Sequence, residues 1–253
     1  MSLDSRFRGN DEDLLSPLSF RHQLTKTLMH FSKLKNPGND VFFDASNHTA
    51  PMLPQAPQPL PRNFYERPTR TVARELLGCR LVRQLNGVQL SGVIVEAEAY
   101  IGESDLACHA KAGKTQRTAV MYGHAGFAYV YFTYGMHWML NVVTEEKDFP
   151  AAVLLRAIEP LEGIEEMRRL RGGKDLRLLG KGPACLTQAL GIARAENGLD
   201  LCAYDSGLWI EPGEAIPKRN VAVSPRIGLG KTPEPWLSKP WRYSVAGSPF
   251  VSR

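Results

Sequence analysis

Apolar and polar positions change rhythm several times along the chain, and each change marks an element. TRTVARELLG, residues 69–78, reads as a short helix with Thr69 or Thr71 as N-cap and Gly78 as its stop. CRLVRQL and VQLSGVIVEAEAY read as strands joined by Asn86-Gly87, the dipeptide that a type I′ hairpin favours because both of its residues take positive φ. Gly92 inside the second run signals a bulge or a close backbone approach. From Ile101 to Gly126 the pattern turns polar and irregular, the mark of a functional loop. FAYVYFT and HWMLNVV then read as strands around Tyr134-Gly135-Met136, followed by a further run, AAVLLRAIEP. EGIEEMRRLRG is a helix with acids early and bases late, matching the helix dipole. GPACLTQALG is another, with Pro183 in its first turn and Gly191 at its end. GLWIE, VAVSPRIGLG and WRYSVAGSP complete the set as short strands. Strands dominate and helices are interspersed without strict alternation, so the expected class is α+β with a mainly antiparallel sheet.

Residues 1–60 follow no such rhythm. They mix Asn, Asp, Ser and His, hold a short helical possibility near 17–34, and end in PMLPQAPQPLPRN, a polyproline-type linker. The expectation is a poorly ordered extension over 1–60 and a folded domain over 61–253 whose first element lies near Phe64.

Composition narrows the class. A chain of 253 residues with 43% hydrophobic residues can bury a real core. No apolar run approaches the ~18 residues of a membrane span. The start of the chain lacks the apolar stretch of a secretory signal, and Asp11, Glu12 and Asp13 argue against a mitochondrial presequence. Cys79, Cys108, Cys185 and Cys202 show no Cys-x-x-Cys spacing, so reduced thiols in a cytoplasmic protein are expected. A net charge of +5 and a pI near 9.0 are compatible with a polyanionic partner without requiring one.

Several residues sit oddly for pure structure. Glu96 and Glu98 share one face if VIVEAEAY is a strand, and Tyr100 continues that face. A lone glutamate there would be a solvated rim; two with a tyrosine, entering a polar loop, read equally well as a site in which one carboxylate activates water. His109 is either a loop histidine bonded to backbone or a site residue. Glu98, His109 and His124 lack metal-ligand spacing, so no metal is expected. Tyr129, Tyr131 and Thr133 alternate onto one strand face. Tyr134, beside Gly135 at a hairpin tip, is either a cap folded back on the sheet or a wedge for a base step. Asn141 among apolar neighbours needs a partner for its amide. Arg156 in VLLRAIEP needs a carboxylate or phosphate, and Glu98 is a candidate.

Three blocks, VEAEAYIGESDLACHA, RTAVMYGHAGFAYVYFTYGMHWMLNVV and VLLRAIEPLEG, closely resemble the alkyladenine (3-methyladenine) DNA glycosylases, bacterial members in particular. GPACLTQALGI, RIGLG and WRYSVAGSPFVSR add weaker support, and the match runs from about Phe64 to Arg253. The resemblance implies a single compact domain whose curved antiparallel sheet presents the 134–136 hairpin to the minor groove. It implies a monofunctional enzyme that flips an alkylated or deaminated purine out of the duplex and hydrolyses its N-glycosidic bond, leaving an abasic site; no lysine nucleophile is identifiable.

By the same resemblance, Glu98 is the general base. Arg156 and the backbone carbonyl of Ile227 hold the attacking water; Glu96 is expected, apart from the resemblance, to lend structural support. Tyr100, His109 and Tyr131 wall the base pocket, Tyr129 supports it, and Asn141 discriminates by exocyclic groups. Tyr134 intercalates. The implied partner is double-stranded DNA containing damaged purines, bound by a monomer with no cofactor and no membrane. Electron-rich rings would hold a positively charged alkylated purine by stacking and cation–π attraction. Ala184-Cys185 departs from the family's Gly or Ser followed by Lys, so a phosphate contact is lost or moved to Lys181. His137 and Met139 also depart, with consequences for pocket shape. Two rivals remain at this level: a damaged-DNA recognition module without catalysis, and a carbohydrate-active enzyme using Glu96 and Glu98 as a carboxylate pair.

Overall fold

The sheet is organised around its longest strand. In the computed structural model, which describes residues 58–252, β1 (Arg80–Leu85) turns through Asn86 and Gly87 into β2 (Val88–Ile101). Both turn residues take positive φ, 50° and 80°, the conformation the dipeptide suits. β3 (Ala128–Thr133), β4 (His137–Val143) and β5 (Ala151–Glu162) lie to one side, giving the order β3-β4-β5-β2-β1-β6, with β6 at Leu208–Glu211. Beyond the end of β1, the same edge of β2 pairs with β8 (Arg242–Val245), which carries β7 (Val221–Ser224). All these pairings are antiparallel. Five helices accompany the sheet among the described residues: α1 (Arg62–Tyr65), α2 (Thr69–Glu75), α3 (Ile164–Leu170), α4 (Leu176–Leu179) and α5 (Pro183–Ala189). The class is α+β, as expected. The extension expected over 1–60 falls almost entirely on residues 1–57, which lie outside the described residues.

One irregularity decides where the polar chemistry sits. Ile94 pairs with Ile158, Glu96 with Ala157 and Ala97 with Leu155, so Val95 is an extra residue on β2 and Arg156 an extra residue on β5. A bulge resets side-chain alternation. Leu90 and Ile94 enter the main core before it, and Ala97 and Ala99 enter the same core after it. Unbroken alternation would have sent Glu96 and Glu98 inward with Ile94; the bulges turn them to the opposite face and bring Arg156 with them. Gly92 satisfies both readings of its position. The register also shifts between Ser91 and Gly92, and a Cβ on Gly92 would lie 2.8 Å from the Glu159 carbonyl oxygen.

The helices pack on one side of this frame. Pro183 opens α5, and Thr187 in that helix donates to the Trp138 carbonyl of β4 at 2.8 Å. α3 buries Met167 in the core while Glu165–Arg168 and Glu166–Arg169 pair along its outer face. No helix among the described residues is long and apolar enough to cross a membrane.

The expected cap of α2 requires correction. Thr69 is its first helical residue, and Pro68 before it offers no capping side chain. Instead the Glu145 carboxylate, 76 residues away, accepts from the Thr69 amide at 2.6 Å and from its hydroxyl at 2.7 Å. A tertiary carboxylate thus meets the unpaired N–H and the positive end of the helix. Glu145→Ala is expected to cost about 1–2 kcal/mol in urea melts, with the sheet's far-UV signature unchanged; an unchanged midpoint would contradict this capping role.

Candidate active site

Residues on the bulged face of β2 and β5 meet at Arg156. Its Nε donates to Glu96 Oε1 at 2.8 Å, its Nη1 lies 3.2 Å from Glu98 Oε1, and its Nη2 donates to Ser252 Oγ at 3.2 Å. Arg156 therefore pairs with both glutamates: with Glu98, the candidate the sequence offered, and at shorter range with Glu96. Glu96 is saturated: it also accepts from Arg242 Nε at 2.7 Å, from Ser252 Oγ at 2.9 Å and from the Ser252 amide at 2.7 Å. Glu98 has fewer partners. It accepts from the Ile227 amide at 2.7 Å and from the Tyr100 hydroxyl at 2.8 Å.

The two carboxylates have no exposed surface, yet their proton affinities diverge. Burial alone would raise Glu96, but Arg156 and the hydrogen bonds from Arg242 and Ser252 outweigh it and hold the carboxyl below the usual glutamate range. At Glu98 burial wins; Arg156, the Ile227 amide and Tyr100 offset it only in part, and the neighbouring Glu96 charge adds to the rise. Glu98 is thus the stronger base, tuned toward the pH at which it can exchange a proton. Environments that push two carboxylates apart in this way mark acid–base sites.

Tyr100, Arg156 and Ile227 line a cavity of about 410 Å³, and Glu98 lies beneath them. His109, Tyr129, Tyr131, Tyr134 and Asn141 line it too, so all eight predicted site residues other than the two glutamates converge on one space. His109 Nδ1 lies 3.0 Å from the Tyr129 hydroxyl, and the His109 ring stands edge-on to Tyr131 with centroids 4.4 Å apart. Burial first, then the charges of Arg117 and Lys111, push this imidazole down to about 4, so it is neutral near pH 7. Tyr129, itself buried, orients the wall. Asn141 faces Tyr129 across the β3–β4 ladder and donates to its carbonyl at 3.0 Å.

Tyr134 lines the cavity from the hairpin tip. It occupies the left-handed region at φ 52°, which bulky residues rarely adopt, and is 76% exposed at the hairpin tip. A ring that exposed is not folded back on the sheet. Met136 beside it is 68% exposed.

Some functional residues escaped sequence reasoning. Ser252 and Arg242 saturate Glu96 from the end of the chain. Asp105 and Arg226 form a fully buried, two-pronged ion pair at 2.6 and 2.9 Å, and Arg226 also donates to the Ala99 carbonyl at 3.0 Å. That pair pins the segment carrying Ile227 to the end of β2. The only signal for it was an acid in a polar loop and an arginine 121 residues later. Arg171 contacts Cys185 Sγ at 3.1 Å, so the Ala184-Cys185 departure has a local partner, and Lys181, offered in its place, donates to the Pro249 carbonyl at 2.9 Å. Met139 lines the cavity and His137 is exposed at the hairpin. Among the described residues no group of three or more His, Cys, Asp or Glu could hold a metal. Glu96 and Glu98 share one guanidinium and neither lines the cavity, so they do not flank a space for a sugar linkage.

Known proteins bear on this geometry. The family described as methylpurine-DNA glycosylase (MPG) matches residues 63–249. A protein of Methanocella arvoryzae named "Putative 3-methyladenine DNA glycosylase" is 50% identical over 195 residues, 77% of this chain and 96% of its own. Identically named proteins of Carboxydothermus hydrogenoformans and Chlorobaculum tepidum are 47% and 44% identical, covering 77% and 76% of this chain and 98% and 89% of theirs.

The split between the carboxylates has a stability consequence. Glu96, held low, contributes stability that is present above the ordinary glutamate range and lost as pH falls through its folded-state value. Glu98, held high, disfavours the folded state once pH exceeds that range. At pH 7, Glu96→Gln is expected to cost about 3 kcal/mol because two guanidiniums lose their shared partner, whereas Glu98→Gln leaves stability unchanged or raises it. Urea melts across the acid-to-neutral range check this, and an equal loss in both variants would contradict it.

Proposed function

The chain belongs to the methylpurine-DNA glycosylase family, hydrolases of N-glycosyl bonds in DNA, and from that premise we propose that it extracts an alkylated or deaminated purine from the duplex and hydrolyses its glycosidic bond with a water activated by Glu98. The observation that carries this reading is the buried carboxylate of raised proton affinity directly beneath an aromatic cavity of base size. Chemistry at a glycosidic bond inside a duplex requires the nucleotide to swing out, at a cost of a few kcal/mol that is smallest for damaged bases. The names of the relatives add 3-methyladenine to the substrate class.

Each residue then has a task. Tyr134 enters the duplex and fills the space the base vacates. Tyr100, Tyr131 and the neutral His109 stack on the extruded base, and Asn141 reads its exocyclic groups. The longest contact of Glu98 is the 3.2 Å approach of Arg156, so water enters most readily between these two groups. Glu96 keeps Arg156 in place while that water is bound. The Ile227 carbonyl supplies the third contact, its amide already holding Glu98. As the bond to the base stretches, the sugar takes on oxocarbenium character, and the Glu98 charge stabilises it while accepting the water's proton. The products are the free base and an abasic site. One base requires one cavity, so a monomer acting in the cytoplasm on double-stranded DNA suffices.

A damage-recognition module would keep Tyr134 and the cavity but needs no base beneath it. Single-turnover release of hypoxanthine or 3-methyladenine from labelled duplexes separates the two. Glu98→Gln is expected to slow release at least ~10²-fold with DNA affinity retained, and Tyr134→Ala to weaken both. Binding without release by the wild-type protein, or wild-type rates in Glu98→Gln, would overturn the proposal.

A further inference from the structure

Two aromatic walls of the cavity, Tyr100 and Tyr131, already carry a cation. The Arg226 guanidinium sits over the Tyr100 ring at 4.6 Å, and the Arg117 guanidinium over the Tyr131 ring at 5.1 Å. Neither arginine lines the cavity, whereas both tyrosines do, so each guanidinium backs its ring from outside. A cation over one face of a ring draws on the same quadrupole that a second cation would use on the other. The charged side chains that do line the cavity are Lys111 and Arg156, both cationic, and no carboxylate lines it. Glu98, the nearest, is buried and spanned by Arg156, the Ile227 amide and Tyr100.

This arrangement bears on which base the cavity takes. A purine alkylated at N3 or N7 carries positive charge while its glycosidic bond is intact; a deaminated purine such as hypoxanthine is neutral. Stacking on the rings survives for both, but the cationic base meets Lys111 and Arg156 in the lining and a guanidinium behind each of two rings, while the carboxylates that pair Arg156 and Arg226 lie outside the lining. We infer that the guanidiniums of Arg117 and Arg226, seated on the outer faces of Tyr131 and Tyr100, shift the preference of this cavity toward neutral purines and away from cationic alkylated ones. The inference rests on the proposed reading of the cavity as a base pocket. The neutral state of His109, held there by burial and by Arg117 and Lys111, belongs to the same pattern, since an imidazolium would add a further positive charge.

Arg117 is the arginine to test, because it is exposed whereas Arg226 is locked in the Asp105 pair. Single-turnover rates are compared on duplexes of one sequence carrying either deoxyinosine or 7-methyldeoxyguanosine, for wild type, Arg117→Gln and Arg117→Lys. Removing the charge in Arg117→Gln is expected to raise the ratio of 7-methylguanine to hypoxanthine release about fivefold, the size of one partly exposed cation–π contact. Arg117→Lys, which keeps the charge, is expected to hold the wild-type ratio. If Arg117 serves only as a contact to the DNA backbone, both rates fall together and the ratio stays constant, which overturns the inference alone. No release of either base by the wild-type protein overturns the base-pocket reading together with the inference.

Discussion

The site depends on one buried carboxylate whose hydrogen-bonding capacity is taken up by its neighbours. Glu96 accepts hydrogen bonds from Arg156, Arg242 and both polar groups of Ser252, so it is spent on holding other residues still. Buried charges are costly unless paired and bonded, and this cluster meets the condition with two glutamates against two arginines. The saturation of Glu96 is what frees Glu98. Arg156 is directed by its neighbour and approaches Glu98 only at 3.2 Å, so burial still raises the proton affinity of the second carboxylate.

The frame delivers this arrangement through backbone irregularities. Paired bulges at Val95 and Arg156 turn an acidic strand segment away from the core and place a guanidinium opposite it. The loop after β2 and the segment around Ile227 are then fastened by the Asp105–Arg226 pair, whose guanidinium also underlies Tyr100. One ion pair therefore orients the Ile227 amide toward Glu98 and backs a cavity wall. The β3–β4 hairpin supplies the opposite wall through Tyr131 and Asn141 and ends in the exposed Tyr134, so a single supersecondary unit contributes both the pocket and the tip.

Much of this was legible in the chain because it is local. Asn86-Gly87 set a hairpin, Pro183 and Gly191 bounded a helix, and Tyr134 beside Gly135 marked a tip. That Glu96 and Glu98 share a face also held, though which face was decided by a bulge at Val95 that nothing in VIVEAEAY announces. Gly92 drew attention as the irregular position, and it is one, but not the one that orients the glutamates. Across long sequence separations only the Arg156–Glu98 pair was in view; Glu145 capping α2, Ser252 on Glu96, Asp105 on Arg226, and the shorter contact of Arg156 with Glu96 stayed hidden. Alternation tells which residues face one way; it carries no information about which of two equivalent carboxylates a guanidinium will choose.

The cluster separates the two glutamates, holding the Glu96 carboxyl below the ordinary range and raising that of Glu98. The most direct measurement is a pH titration of the side-chain carboxyl carbons of both residues by NMR in the intact protein, assigned with Glu96→Gln and Glu98→Gln. The expected result is a Glu98 carboxyl that titrates above the ordinary glutamate value and a Glu96 carboxyl that stays ionised below it. The reverse order, or two carboxyls titrating together at the ordinary value, would contradict the account.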